Sequence, residues 1–274
     1  MYGSVDEGRG KDRRGSSLRS RVFISITVVG CLSLCFALMI VSMTPEQLDA
    51  KDNDAQRLQT QENPQGCFPI PSIDVFECPQ RTSIEISQYL VDRRPFPSTT
   101  VDLCYSSTSL RVEYSTNNEG SFFVNPLYRH NDNIWEYNVF EAFIALGTHD
   151  PVEYFEFEVS PTNQTYSAFI LNPHKDFSAP IGHFFVGTDE AEARAFGIEV
   201  STKTDVTTNS WASKAILPFN LFNVVEPKGT QWRMNFMRKI TNATLFPAQE
   251  CGAWNAPNTY NFHVTPCFGL VRLV

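Results

Sequence analysis

Apolar and polar side chains alternate with a period of two through much of the chain after Cys67. Val101-Asp102-Leu103-Cys104-Tyr105, Ser109-Leu110-Arg111-Val112-Glu113-Tyr114 and Tyr154-Phe155-Glu156-Phe157-Glu158-Val159 all do so, as does Gln231-Trp232-Arg233-Met234-Asn235-Phe236-Met237-Arg238. Such alternation predicts strands with one face on a core and the other in water. It assigns Trp211, Trp232, Met234, Phe236 and Phe268 to the core. Glu156 and Glu158 fall together on a solvated outer face, and Arg233 and Asn235 on a solvated or rim face of their own strand. Val139-Phe140-Glu141-Ala142-Phe143-Ile144-Ala145-Leu146 is more continuously apolar, which predicts a central strand buried on both faces. Asn125-Pro126, Asn172-Pro173, Ala179-Pro180-Ile181-Gly182 and Glu226-Pro227-Lys228-Gly229 supply turn chemistry between these segments. No stretch after Cys67 holds a helical period for long. The pattern predicts an all-β fold, an antiparallel β-sandwich of the jelly-roll kind, over residues 67–274.

The preceding residues follow a different logic. Residues 1–21 are polar and rich in Gly, Ser and Arg, which predicts a disordered tail. Residues 22–43 contain no charged side chain, and a helix rising about 1.5 Å per residue over that length spans a hydrocarbon core of about 30 Å. A secretory signal peptide is the rival reading, but its apolar run is usually about 7–15 residues and ends in a small-x-small cleavage site. This run is longer, and no convincing site follows it closely. Residues 44–66 hold hardly any large apolar side chain and read as a polar stalk. Arg9, Lys11, Arg13, Arg14, Arg19 and Arg21 precede the apolar run, whereas only Lys51 and Arg57 follow it closely. The positive-inside rule then keeps the N-terminus in the cytoplasm and exports the rest, as in a single-pass type II membrane protein.

Composition adds constraints. The formal net charge of −8 argues against nucleic-acid binding, which needs a basic face. The 22 Phe, 9 Tyr and 4 Trp suit sheets. Asn163-Gln164-Thr165 and Asn242-Ala243-Thr244 are sequons, usable only in a secretory compartment. Cys67, Cys78, Cys104, Cys251 and Cys267 lie on the exported side, where disulfides form. Their number is odd. Nearness along the chain favours Cys67–Cys78 and Cys251–Cys267, leaving Cys104, although spacing does not fix connectivity. Cys31 and Cys35 fall within the apolar run and read as packing residues.

Three stretches in order resemble family 9 carbohydrate-binding modules and the related DOMON-like sandwiches. They are Trp135-Glu136-Tyr137-Asn138-Val139-Phe140-Glu141-Ala142-Phe143-Ile144, then Tyr154 to Pro161, then the C-terminal set from Trp211 through Trp254-Asn255-Ala256-Pro257 to Leu270. The resemblance covers about residues 90–274. It implies a slot in which a sugar lies between two aromatic rings, with polar groups at the rim. Carried over, the rings are Trp135 and Phe262, and the carboxylate six residues after the first ring is Glu141. A neighbouring Asn of the family falls near Thr259, and an Arg used for sugar hydroxyls falls at Glu158. Phe262 is smaller than the usual Trp, and Glu158 replaces a donor by an acceptor.

Each residue has a plainer reading. Trp135 and Phe262 equally fit a core, and Glu141 a buried salt bridge to Arg233 or Arg238. The implied function is non-catalytic glycan binding. No G-x-S-x-G, H-E-x-x-H or phosphate-cradling loop is present, and His130, His149, His174, His183 and His263 are scattered. No cofactor is expected, and a structural calcium ion stays open. The rival is a haem-binding DOMON-type electron-transfer domain using Met234 or Met237 with His263, although Met234 reads as core. A cell-surface protein-interaction domain with a vestigial slot is a third reading.

Overall fold

The computed structural model of the chain describes Cys67 and residues 69–117, 119–175 and 181–274. Its strands are β1 (Ser72–Val75), β2 (Thr82–Tyr89), β3 (Pro95–Tyr105), β4 (Ser109–Thr116), β5 (Val139–Leu146), β6 (Glu153–Val159), β7 (Thr165–Leu171) and β8 (Gly182–Phe185). They continue with β9 (Glu199–Asp205), β10 (Ser210–Pro218), β11 (Gln231–Ile240), β12 (Glu250–Ala253) and β13 (Gly269–Leu273). The one described α-helix, α1 (Glu190–Ala195), is capped by Asp189, whose carboxylate accepts from the Ala191 and Glu192 amides. Among the described residues no helix is long and apolar enough to cross a membrane. The expected anchor at residues 22–43 lies outside them, as do the tail at 1–21 and the stalk at 44–66.

The strands hydrogen-bond in the order β8-β7-β6-β5-β11-β12-β2-β3-β4-β10-β9, with β13 also on β11 and β1 parallel to β13. This is one antiparallel sheet curled into a half-barrel, rather than two separate layers. The join is β12, which pairs with β11 over Met237–Ile240 and with β2 through Gly252–Tyr89 and Ala253–Gln88. At Gly252 the chain crosses Phe96 so closely that a Cβ would overlap its ring. The curl brings the two halves face to face in a sandwich-like core. Phe140 and Ile144 of β5, Phe155 and Phe157 of β6, and Trp232, Met234 and Phe236 of β11 meet Val101, Val112, Trp211 and Leu217 from the other half. Phe140 stacks on Trp211 with ring centroids 3.7 Å apart and on Tyr114 at 4.8 Å. The expected core residues Trp211, Trp232, Met234, Phe236 and Phe268 are all buried, and β5 is buried on both faces as its composition predicts.

Inside this core lies an ion pair. Arg238 projects from β11 towards Glu119, and both side chains are almost fully buried. Arg238 Nη1 donates to Thr99 Oγ1 of β3 at 2.7 Å and to Thr116 Oγ1 of β4 at 2.9 Å. Glu119 also accepts from Trp211 Nε1 at 2.9 Å and Asn138 Nδ2 at 3.2 Å. One guanidinium thereby ties β11 to the opposite half.

Several expectations are corrected. Glu156, Glu158, Arg233 and Asn235 are buried rather than solvated. The reason is a cover: the segment after β12 folds back over this face. Asn235 Nδ2 donates to the Asn255 carbonyl at 3.0 Å, and Arg233 Nη2 to the Pro266 carbonyl at 3.0 Å. Ala256, Phe262 and Phe268 close a second apolar cluster with Val139, Phe143, Tyr154 and Met237. The disulfides are Cys67–Cys267 and Cys78–Cys104, in place of Cys67–Cys78 and Cys251–Cys267. Cys78–Cys104 links the segment before β2 to β3, whereas Cys67–Cys267 fastens the start of the domain to the end of the cover. Cys251 is the buried free thiol among the described residues.

Removing one partner of a buried ion pair leaves the other uncompensated. Glu119→Ala should therefore destabilise the domain by about 3–5 kcal/mol in urea unfolding. Replacing Arg238 and Glu119 together by apolar residues should destabilise it less than Glu119→Ala alone. Equal losses would show that the pair does not hold the halves together.

Candidate functional site

The outward face of β5, β6 and β11 carries a polar cluster on an otherwise apolar surface. Glu141 lies directly opposite Glu158 in the β5–β6 register, and Glu156 follows two residues along the same face. Two acids opposite one another on neighbouring strands repel. Lys239, on the adjoining strand β11, meets them, with its Nζ 3.3 Å from Glu141 Oε1. Glu141 therefore pairs with Lys239 and not with Arg233 or Arg238. The alternation that sends Arg238 inward sends its neighbour Lys239 to this opposite face.

These groups form the floor of a pocket of about 310 Å³ whose walls include Leu90, Trp135, Tyr166, His183, Gln249, Tyr260, Asn261, Phe262 and His263. Trp135 sits in a short 3₁₀ turn, Ile134–Glu136, just before β5. It is half-buried, meets Tyr166 edge-on at 5.4 Å, and its carbonyl accepts from Gln249 Nε2 at 2.7 Å. Phe262 is 5% exposed, with Lys239 Nζ 5.1 Å from its ring centre. Thr259 is half-buried in the cover loop, where its neighbours Tyr260 and Asn261 supply the pocket wall. The pocket thus unites Trp135, Glu141, Glu158 and Phe262, and adds Lys239, Glu156, Tyr166, His183, Gln249 and His263, which sequence reasoning missed or set on a solvated face. The usable signal was electrostatic, because three acids on two adjacent strands require a cation on the next.

Burial governs the titration of the floor. It raises the Glu156 carboxyl to about 8, with the charge of Glu141 adding to the rise. Burial, then Glu141 and Glu156, lift Glu158 well above the carboxyl range, and burial raises Glu141 against the pull of Lys239. Burial opposes the Lys239 ammonium, but Glu141, Glu158 and Glu156 outweigh it and the ammonium is held. His263 is pushed down to about 3 by burial, then by Lys239. Tyr154, whose hydroxyl burial keeps protonated, lies 2.6 Å from His263 Nδ1, and Tyr166 stands in the same relation to His183 at 2.6 Å. His263 is therefore neutral, and burial lowers His183 as well. Glu158 Oε2 is buried without a hydrogen-bond partner.

Glu141, Glu156 and Glu158 place carboxylate oxygens within 4.8 Å of one another, and among the described residues they are the one group of metal-ligating types so arranged. Their hard oxygens are of the type calcium takes. The adjacent Lys239 ammonium counts against a dication there. For the haem alternative, Met234 lies in the inner core, on the opposite face of β11 from Met237, and His263 Nδ1 is engaged by Tyr154.

The chain is 42% identical to an extracellular protein of Arthroderma benhamiae over 206 residues, covering 74% of this chain and 91% of that protein. No family model matches. The fold is similar to that of a candidate carbohydrate-binding protein from Bacteroides uniformis, with a TM-score of 0.58 and 13% identity over 75% of this chain and all of that one. A family 9 carbohydrate-binding module from Caldicellulosiruptor kristjanssonii, solved with cellotriose, gives a TM-score of 0.47 and 12% identity over 74% of this chain and 93% of that one.

The buried carboxyls make stability depend on pH. Glu156 and Glu158 keep protons in the folded chain that the unfolded chain releases above about pH 4.5, so their contribution is lost as pH rises towards the raised values. His263, held neutral, and His183, whose value burial lowers, act in the opposite sense, but only below the free-histidine value of about 6.5. Between about pH 6.5 and 8 the carboxyls dominate. Stability should fall across that window by about 1–2 kcal/mol per carboxyl, or several degrees in Tm. Glu156→Gln should flatten the fall. A Tm that rises from pH 6.5 to 8 would mean these acids are ionised throughout.

Proposed function

We propose, from the premise that this chain belongs to the same family as the extracellular protein of Arthroderma benhamiae, that its domain binds glycan outside the cytoplasm and catalyses no reaction on it. The pocket carries this reading, since one fold serves many functions. Half-buried Trp135 offers an apolar ring face at the wall of a cavity of about 310 Å³, large enough for a pyranose, beside the floor acids and Lys239. A sugar C–H face lies on the indole and Phe262 closes the far side. Hydroxyls reach Glu141, Lys239, Gln249 and Asn261.

Binding rather than hydrolysis fits the acids' placement. Glycoside hydrolysis needs two carboxyl groups flanking the scissile bond. Here all three share one floor on neighbouring strands and are buried beneath the site.

Residues 22–43 anchor the domain in a membrane in this reading, with residues 1–21 in the cytoplasm. Asn242 lies in a turn whose following residues are exposed, its Oδ1 accepting from the Thr244 and Leu245 amides. Asn163 has its side-chain oxygen buried, and Thr165 of the same sequon is tied to His130 at 2.8 Å. Asn242 is the more open acceptor.

Two measurements test this. A glycan array probed with the purified full chain should give positive spots, and Trp135→Ala should abolish them while costing at most about 2 kcal/mol of stability, because the ring is half-buried. An array blank with native protein, or a Trp135→Ala chain that unfolds, would refute the site. For topology, the full chain should stay in the membrane pellet after alkaline carbonate extraction and lose one glycan's mass with Asn242→Gln. Release into the supernatant would refute the anchor.

A further inference from the structure

Resting on the glycan-binding reading, we propose that the site is a cleft running across the strands. In it a chain of neutral pyranoses seats one unit on Trp135 and the next on Phe185 at the sheet edge. The pocket draws on six consecutive strands: His183 of β8, Tyr166 of β7, Glu158 of β6, Glu141 of β5, Lys239 of β11 and Cys251 of β12. Neighbouring strands lie about 4.8 Å apart, so the floor extends on the order of 20 Å across the sheet. One pyranose covers only part of that length.

Phe185 continues the site past the pocket wall. In the β7–β8 register it lies opposite Ala168, two residues along β7 from Tyr166 and on the same face, whereas Phe184 lies opposite Phe169 on the other face. The Phe185 ring meets Tyr166 edge-on at 5.6 Å, and the Trp135 ring meets the same tyrosine edge-on at 5.4 Å. One buried tyrosine thus holds two more open rings beside each other. Phe185 is 54% exposed, on the strand that ends the sheet. Native sheets protect such an edge with charge, proline or a cover. Strand β8 reads Gly182-His183-Phe184-Phe185 and has neither the charge nor the proline. The C–H face of a pyranose covers an aromatic ring of this kind and leaves the sugar hydroxyls in water. The floor does not ask for a charged sugar. Lys239 stands 3.3 Å from Glu141, and burial raises the carboxyls of Glu156 and Glu158 so that they favour the neutral form. Carboxyls in that form donate as well as accept, which suits hydroxyl groups. Phe185 adds apolar surface alone, so the second unit is recognised by its ring face.

Isothermal titration calorimetry at pH 6 on the purified full chain tests this, with mono-, di- and trisaccharides of β-1,4-linked glucose, N-acetylglucosamine and mannose. In a series that binds, the trisaccharide should bind at least about tenfold more tightly than its monosaccharide, as one further ring contact warrants. Phe185→Ala should bring the trisaccharide to within about twofold of the monosaccharide, and Phe185→Tyr, which keeps the ring, should preserve the gain. Phe196→Ala, which removes an exposed ring after α1 and outside the pocket, should preserve it as well. A native chain that binds monosaccharide and trisaccharide alike overturns the cleft and leaves the glycan-binding reading standing. A gain that survives Phe185→Ala takes that ring out of the site and overturns the proposal. Absence of binding in all three series overturns both readings. If the native chain sediments as a dimer and Phe185→Ala as a monomer, the ring belongs to a contact between two copies, and the proposal falls.

Discussion

Strand β11 carries two adjacent cations on opposite faces, Arg238 buried and Lys239 half-buried, and much of the architecture follows from satisfying both. Arg238 faces the inner core and finds Glu119, Thr99 and Thr116. Lys239 faces the covered outer side and finds Glu141. A strand sends consecutive side chains to opposite faces, so a slip of one residue would deliver each cation to the wrong acids and Phe236 and Met237 to the wrong apolar clusters. A buried unpaired charge is severely unfavourable, so the two pairs pin the register of the central strand together with its hydrophobic alternation. They also connect distant parts of the fold. The inner pair ties β11 to β3 and β4 across the half-barrel. The outer pair ties it to β5, on which the pocket is built.

The pocket, in turn, depends on the second face of the sheet being covered. The segment after β12 is held to β11 by hydrogen bonds from Asn235 and Arg233 to its carbonyls, and its end is fastened by Cys67–Cys267. Without that cover Glu141, Glu156 and Glu158 would be an ordinary acidic stripe in water, with unperturbed titration. Beneath it they lose solvation, their carboxyls shift upward, and Lys239 becomes the charge around which they arrange. Chain geometry and electrostatics thus act in sequence: the cover desolvates, desolvation shifts the acids, and the shifted acids define what the pocket attracts.

This order explains what could be read from the residues alone. Alternation identified β3, β4, β6 and β11, and the uninterrupted apolar run of β5 gave its burial on both faces. Trp135, Glu141, Glu158 and Phe262 were placed together through a resemblance in ordered motifs, and they do share a pocket. Alternation reports which side chains share a face, but not what lies against that face. Glu156, Glu158, Arg233 and Asn235 were therefore assigned to water when a loop far along the chain excludes it. Disulfide pairing failed for a related reason. Proximity in sequence favoured Cys67–Cys78, whereas the fold places Cys67 beside Cys267 and Cys78 beside Cys104. Glu119 carried no signal, being one acid in a polar turn after β4. Its importance exists only once the half-barrel has closed over Arg238.

A comparison of the two buried ionic clusters separates structure from recognition. Around Arg238 and Glu119, two threonine hydroxyls, an indole N–H and an amide add hydrogen bonds to the pair, and the charges are matched one to one, with Arg238 Nε the one donor left over. Around Lys239 the balance is reached differently: Glu141 pairs with the ammonium, and burial raises the carboxyls of Glu156 and Glu158 so that they favour the neutral form. Carboxyls held neutral can donate as well as accept, and strongly perturbed acids of this kind cluster at functional sites. They coincide here with the half-buried tryptophan and a cavity able to take a ring, so the perturbed acids and the open space belong to one site.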